Sequence, residues 1–108
     1  MGNQLRKQNI EIIMMKLLVI FGTRPEAIKL APVIHAARLD ARFDVQVCVT
    51  GQHREMLDQM LALFDIKPDY DLDIMLSNQH VLDMTSRILS GLKSVLFRAQ
   101  PDYIIVQG

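Results

Sequence analysis

Residues 15–29 read MKLLVIFGTRPEAIK: an apolar run is followed at once by a turn and by the start of a helix. The run Leu17–Phe21 is continuous, which is typical of a central parallel strand covered on both faces. Gly22 and Arg24 come next, and Pro25 lies in the first helical turn. Such a turn directs backbone N–H groups and a guanidinium toward one point, the arrangement that a phosphate-bearing ligand requires.

The helix that begins in this stretch has a clear start signal. Thr23 and Glu26 have the spacing of a capping box, and apolar residues then recur every three or four positions to about Leu39. Pro32 lies inside this pattern and cannot donate a hydrogen bond to the carbonyl of Ile28. The sequence therefore predicts a helix with a kink or a local break at the proline.

The rest of the chain continues the alternation of strands and helices. The apolar patterns predict a strand at 44–50, a helix at 54–65, a short strand at 72–76, a long helix at 80–100 and a strand at 103–106. The acidic segment 65–73 lacks the glycine and the final glutamate of a calcium loop, so we expect a solvated loop there and no metal. This order favours an α/β fold with a doubly wound parallel sheet.

Composition limits the classes of function. The 108 residues suffice for one domain, and a hydrophobic content of 50% provides a core. Lys and Arg balance Asp and Glu, so no global charge attracts nucleic acid or an anionic membrane, and no apolar stretch has the length of a membrane span. Cys48 is the only cysteine, which excludes an internal disulfide and fits the cytoplasm; we expect its side chain to be buried.

Candidate binding residues follow the first strand, because ligands of open parallel sheets bind outside the carboxyl ends of the strands. Gly22 would let a ligand approach the backbone, Arg24 offers a planar fork for phosphate oxygens, and Lys29 adds a second positive charge. The alternative is a well-capped helix start with both cations solvated. No P-loop and no G-x-G-x-x-G pattern is present, so a dinucleotide cofactor is unsupported.

Histidines supply the other candidates. His53, beside Gln52, follows the second strand and could act as an acid, a base or a ligand contact, with a solvated loop residue as the alternative. We expect His35 and His80 to be structural or solvated. No carboxylate pair at the strand ends has the spacing of an acid–base dyad, so these patterns identify no catalytic residue.

Four segments occur together in an order and at a spacing that resemble one family. They read FGTRPEAIK at 21–29, TGQHREMLD at 50–58, PDYDLDIM at 68–75 and PDYIIVQG at 101–108. With them, residues 15–108 resemble about the first quarter of the non-hydrolysing UDP-N-acetylglucosamine 2-epimerases. The resemblance implies a Rossmann-like unit, the amino-terminal half of the first domain of a GT-B-like fold. Residues 1–14 would then be a leader or extension, with poor order expected in its first half.

The resemblance also implies a chemistry and a set of roles. Family members interconvert UDP-GlcNAc and UDP-ManNAc by elimination and re-addition of UDP, without NAD or a metal. Arg24 and Lys29, with Gly22, match the region that contacts the nucleotide diphosphate. Gln52 and His53 match a turn that, in bacterial members, helps to hold a second UDP-GlcNAc as an allosteric activator.

Two further expectations follow from the resemblance. The family's catalytic residues come after Gly108, so we expect the chain alone to be inactive. Family members are usually dimers, so we expect the full-length protein to be a homodimer. Two other functions stay open. A GT-B glycosyltransferase would lack the family's Asp after Gly108 and carry an acceptor-binding domain. A non-enzymatic flavodoxin-like module that binds a nucleotide or a partner protein would be a stable monomer by itself.

Overall fold

The computed structural model describes residues 14–51, 54–74 and 81–107. The elements in these ranges are β1 Met15–Phe21, α1 Arg24–Arg38, β2 Phe43–Val49, α2 Arg54–Leu63, β3 Tyr70–Asp71, α3 Val81–Ala99 and β4 Tyr103–Val106. The predicted alternation of strands and helices is confirmed. No helix in these ranges is long and apolar enough to cross a membrane.

The four strands form one parallel sheet in the order β3, β2, β1, β4. β1 lies inside the sheet: residues 15–21 pair with 43–49 of β2, and residues 17–20 pair with 103–106 of β4. The chain steps outward from β1 to β2 and β3 and then returns to the other side of β1. This reversal confirms the doubly wound α/β class and places the topological switch between β1 and β4.

Apolar side chains cover β1 on both faces, as its continuous apolar run predicts. On one face, Val19 and Phe21 pack against the buried stripe of α1, formed by Ala27, Leu30, Ala31 and Ile34. On the other face, Leu18 and Cys48 pack against Val95 of α3. Burial, with a smaller effect of the Asp71 charge, raises the pKa of the Cys48 thiol to about 11. The expected buried cysteine is confirmed.

The short third strand lies earlier than predicted. It spans Tyr70–Asp71, and residues 72–74 are outside it; residues 75 and 76 lie outside the described part of the chain. The pairing of β3 with β2 begins before residue 72 because Asp69, just ahead of β3, already forms hydrogen bonds with β2. Its backbone N–H donates to the carbonyl of Val47 at 2.8 Å, and its carboxylate accepts from the Val47 N–H at 2.8 Å. A polar contact, rather than the apolar run, sets the start of this strand.

The predicted break at Pro32 is wrong, because α1 runs without interruption from Arg24 to Arg38. Pro32 and Ile28 are both exposed. The carbonyl of Ile28 that loses its donor at the proline therefore faces water, which can satisfy it. A kink at this position stays a prediction.

Candidate functional site

The carboxyl ends of the strands lie at one edge of the sheet, since all pairings are parallel. The crevice expected to receive a ligand lies between the ends of β1 and β4, where the winding reverses. Gly22, Thr23 and Arg24 follow β1 at this point, and Gln107 follows β4. The turn after β1 is therefore the described segment best placed to meet a ligand.

Glu26, in the first turn of α1, holds this turn in place. One carboxylate oxygen, Oε1, accepts hydrogen bonds from the backbone N–H of Gly22 at 3.0 Å, the backbone N–H of Thr23 at 3.0 Å and the Thr23 hydroxyl at 2.9 Å. Thr23 is the N-cap residue in an extended conformation, and the predicted capping box is present. Gly22 itself is buried.

These bonds correct the expectation that the turn offers free backbone N–H groups. The N–H groups of Gly22 and Thr23 are bonded to Glu26, and Pro25 has no N–H to offer. In this conformation, an anion at the end of β1 would meet the side chain of Arg24 rather than a cradle formed by those two backbone groups.

Arg24 and Lys29 are both exposed, and neither forms an ion pair with another described residue. They do not share a face of the helix. Five helical positions correspond to a rise of about 7.5 Å and a rotation of about 140°. Arg24 flanks the buried stripe at the strand ends, whereas Lys29 lies on the outer side of α1. Both can contact one ligand only if that ligand extends from the strand ends over the outer side of the helix.

The turn after β2 contains a second arginine, and its charge is neutralised. Arg54, the first residue of α2, donates through Nη1 and Nη2 to both carboxylate oxygens of Asp71, each at 2.8 Å. Nη2 also donates to Asp73 at 2.8 Å, and Nη1 lies 3.3 Å from Asp58. The guanidinium lowers the pKa of Asp71, and these carboxylates raise the pKa of Arg54 above its ordinary value.

In this ion cluster, Arg54 with Asp58, Asp71 and Asp73, the aspartates of the acidic segment are exposed, as predicted for a solvated loop, but they also bond an arginine. Asp69 bonds the backbone of β2, so three of the four aspartates between 65 and 73 have structural partners. Within the described ranges, no group of three or more His, Cys, Asp or Glu side chains could hold a metal ion. The sequence contains no direct signal of this cluster, because the contact depends on β3 lying beside β2.

Gly51 is required at the start of the second turn. Its φ is +81°, and a Cβ built on it would lie 2.6 Å from Nη2 of Arg54 and 3.2 Å from Cα of Asp73. Gln52 and His53, the predicted allosteric contacts, lie outside the described residues. The structure therefore describes the residues on either side of this pair, Gly51 before it and Arg54 after it.

Two further polar side chains bear on the site region. His35 Nε2 lies 2.8 Å from the carbonyl oxygen of Phe64 and links α1 to the end of α2, so its expected structural role is confirmed. His80 lies outside the described residues. The Thr50 hydroxyl, at the end of β2, is buried and has no hydrogen-bond partner among the described residues, and nothing in the sequence signalled it.

Comparison with known proteins identifies the family. The family model described as UDP-N-acetylglucosamine 2-epimerase matches residues 35–108. A UDP-N-acetylglucosamine 2-epimerase of Yersinia pestis is 61% identical over 94 residues, which are 87% of this chain and 25% of that protein. The Escherichia coli K12 enzyme of the same name is 57% identical over the same shares. The chain thus spans about a quarter of the length of the curated relatives that it matches.

Solved structures agree with this assignment. The UDP-GlcNAc 2-epimerase of Neisseria meningitidis, crystallised with UDP-GlcNAc, superposes with a TM-score of 0.80 at 53% identity and covers 87% of this chain and 26% of its own. The S. aureus MnaA structure with UDP has a TM-score of 0.80 at 43% identity and covers 88% of this chain and 25% of its own. These matches confirm the Rossmann-like fold of a GT-B-like enzyme. The chain belongs to the UDP-N-acetylglucosamine 2-epimerase family.

Proposed function

We propose that this chain supplies part of the UDP-sugar site of an enzyme that interconverts UDP-GlcNAc and UDP-ManNAc. The observation that carries the proposal is the exposed guanidinium of Arg24 at the switch point of the sheet, which forms no ion pair with another described residue. Relatives crystallised with UDP or UDP-GlcNAc support the choice of ligand. The chain spans a quarter of those relatives, so we assign turnover to these residues together with the remaining three quarters.

The proposed reaction needs positive charge where UDP departs. A base removes the proton at C2 while the C1–O bond breaks, and UDP leaves with the bonding electron pair, so that a glycal forms. Return of a proton to the opposite face of C2 and re-formation of the C1–O bond give the epimer. No hydride moves in this sequence, which is why NAD is not required. The base and acid are expected among residues after Gly108.

Arg24 has the chemistry that a leaving diphosphate needs. A planar guanidinium can donate two parallel hydrogen bonds to phosphate oxygens, and a charge that is already in place stabilises the departing anion without reorganisation. Gly22 would contribute by having no side chain that obstructs the ligand beside Arg24, since its own N–H is already bonded to Glu26. Lys29 would contact the diphosphate from the outer side of α1, which requires the site to continue beyond this sheet.

Regulation and assembly belong to the same proposal. Gln52 and His53 would contact a second UDP-GlcNAc as an allosteric activator, as the family resemblance implies. The full-length protein would be a homodimer in the cytoplasm, where a single free cysteine is stable and nucleotide sugars are used. Residues 1–14 would be an extension ahead of the partial domain 15–108.

The test uses a hybrid protein in which this chain replaces the matched quarter of the Yersinia pestis relative. We expect the hybrid to form UDP-ManNAc from UDP-GlcNAc and the 108-residue chain alone to form none. Arg24→Met should lower turnover by about 100-fold, the scale seen when a charge-stabilising donor is removed. Arg38→Met, an exposed arginine at the other end of α1, is the control and should leave turnover unchanged.

Three results would contradict the proposal. Turnover by the isolated chain would mean that the catalytic groups lie within it. Equal activities of Arg24→Met and Arg38→Met would remove the role of Arg24. Transfer of GlcNAc to an acceptor by the hybrid, without formation of UDP-ManNAc, would favour a GT-B glycosyltransferase.

A further inference from the structure

The turn after β1 already contains an anion, the carboxylate of Glu26. Successive backbone N–H groups that point to one side form a concavity that binds anions, and the positive end of a helix dipole strengthens it. Here the N–H groups of Gly22 and Thr23, together with the Thr23 hydroxyl, converge on Oε1 of Glu26. The chain places its own carboxylate where such a turn would otherwise hold a phosphate oxygen.

We propose that Glu26 is a positioning residue that closes this concavity to phosphate and presents Arg24, which forms no ion pair with another described residue, to the diphosphate. Two bonds to consecutive backbone groups fix the conformation of Gly22 and Thr23, and Arg24 follows directly. This inference rests on the proposed diphosphate contact of Arg24. The occupancy of the concavity can nevertheless be tested without any nucleotide.

The position of Glu26 explains why it does not neutralise Arg24. The two residues are two positions apart on the helix, where side chains do not face each other. The carboxylate turns back over the end of β1 and bonds backbone groups, and no ion pair joins it to Arg24 among the described residues. The charge of Glu26 therefore stabilises the turn without consuming the cation that the ligand needs.

Removing Glu26 should convert the turn into a real anion site. Gly22 is buried, and its N–H loses its partner when the carboxylate is deleted. An unpaired buried donor is costly, so a small anion that can reach it should bind and restore stability. Rescue by an added anion distinguishes a carboxylate that fills an anion site from a side chain that only packs.

The experiment compares the 108-residue chain with Glu26→Ala, Glu26→Gln and, as a control, Glu55→Ala, which removes the acidic residue in the first turn of α2. Thermal unfolding is followed in sodium formate and in sodium chloride at equal ionic strength. We expect formate to raise the Tm of Glu26→Ala by about 4 °C more than that of the unsubstituted chain. The glutamine variant, which keeps an acceptor oxygen, and Glu55→Ala should show no extra rise.

Backbone amide NMR with inorganic pyrophosphate gives a second measurement. We expect pyrophosphate to shift the amide signals of Gly22 and Thr23 in Glu26→Ala but not in the unsubstituted chain or in Glu26→Gln. If Glu26→Ala does not fold, Glu26→Gln carries the test, and its pyrophosphate affinity should lie within about two-fold of the unsubstituted chain.

Two outcomes would overturn the inference. One is formate stabilisation of Glu26→Ala no greater than that of the unsubstituted chain. The other is a pyrophosphate shift of the Gly22 and Thr23 signals while Glu26 is present, in the unsubstituted chain or in Glu55→Ala, because phosphate would then displace the carboxylate. Failure of the proposed function looks different: Arg24→Met would leave UDP binding intact while formate still rescued Glu26→Ala.

Discussion

The turns after β1 and β2 contain the same kinds of residue and use them in opposite ways. Each follows a parallel strand, each has a glycine, and each supplies an arginine as the first residue of a helix: Gly22 and Arg24 in one, Gly51 and Arg54 in the other. Arg54 bonds carboxylates at 2.8 Å, whereas Arg24 forms no ion pair with any described residue. Residue type and position alone do not distinguish a structural arginine from one available to a ligand.

The difference lies in where the carboxylates come from. In the first turn the acidic partner, Glu26, belongs to the same helix and bonds the backbone. In the second turn, the shorter bonds to the guanidinium, at 2.8 Å, come from Asp71 and Asp73 of the neighbouring strand and the residues after it, and Asp58 of the same helix adds a longer contact at 3.3 Å. Glu26 stabilises the backbone of the first turn and forms no ion pair with Arg24, whereas Asp71 and Asp73 bond Arg54 and so join two segments of the chain.

Gly51→Ala should have the largest effect on stability, because it strains the backbone of the turn after β2. The turn after β1 is not affected. The new Cβ would lie 2.6 Å from a guanidinium nitrogen that Asp71 and Asp73 hold in place, at a φ of +81° that alanine disfavours. We expect the free energy of unfolding, measured in urea, to fall by about 3 kcal/mol.

Gly91→Ala is the matched control for that substitution. Its Cβ would meet only the end of the Leu72 side chain, at 2.9 Å, and it lies inside α3 where alanine is favoured. We expect a change within about 1 kcal/mol. Equal losses for the two variants would show that the second turn is not specifically constrained.

Exchanging the two arginines for methionine should separate stability from binding. Arg54→Met leaves Asp71 without its partner and should cost about 2 kcal/mol of unfolding free energy, a figure already reduced for the partial exposure of these side chains. UDP affinity, measured by calorimetry on the hybrid protein, should change by less than about two-fold.

Arg24→Met should give the reverse pattern. Its unfolding free energy should stay within about 0.5 kcal/mol, because it loses no ion pair with a described residue. UDP affinity should fall at least about ten-fold, since a bidentate charged contact is lost. A loss of stability in both variants would contradict the claim that the two arginines have different roles.

Asp71→Asn should reveal the ion cluster as a loss of unfolding free energy that depends on pH. Arg54 lowers the folded-state pKa of Asp71 below the ordinary value of an aspartate, so the unfolded chain binds a proton first as the pH falls. The stabilisation that the charged Asp71 gives to the folded state is therefore complete above about pH 5. It is lost as the pH falls through the lowered pKa. We expect Asp71→Asn to cost about 1 kcal/mol at pH 7, and the difference to shrink below pH 4.

Urea titrations at several pH values measure this difference. Asp44→Asn, an exposed residue that forms no ion pair with another described residue, is the control and should show no comparable loss at pH 7. A gap between Asp71→Asn and the unsubstituted chain that persisted unchanged into acid would argue against the charge interaction.

The smallest expected effect is local opening of the second turn, which can be measured by the rate at which a reagent labels the Cys48 thiol. The thiol is fully buried, its pKa is about 11, and its backbone is in register with Tyr70 of β3. Labelling by a thiol-reactive reagent at pH 8 should therefore be slow in the native protein. Arg54→Met should raise the rate about five-fold by loosening β3, whereas Arg24→Met should not. Similar rates in both variants would mean that the ion cluster does not hold β3.

Local patterns in the sequence predicted most of the fold. The apolar run of β1, the capping box at Thr23 and Glu26, and the burial of Cys48 depend on neighbours along the chain or on composition, and the structure confirms them. The alternation of strands and helices was sufficient for the α/β class. The four family segments predicted a Rossmann-like fold, which the solved relatives confirm.

Contacts between distant segments were not predictable in the same way. The start of β3 depends on Asp69 meeting Val47, and the fate of Arg54 depends on β3 lying beside β2. The same limit applies to the predicted phosphate site. Spacing indicated a capping box at Glu26, but it did not indicate that the carboxylate would also bond Gly22 and occupy the groups that a ligand was expected to use.

The inner position of β1 has a consequence for how the chain is assembled during synthesis. Its partner β2 follows soon after it, but β4 is held to it at the far end of the described chain, where Lys16 N–H donates to Asp102 across 86 residues. Until β4 is made, one side of an apolar strand is left open, and open strand edges pair with the wrong chain. Docking of β4 therefore covers the free edge of β1, and the open edge on that side of the described sheet becomes that of the short strand β4.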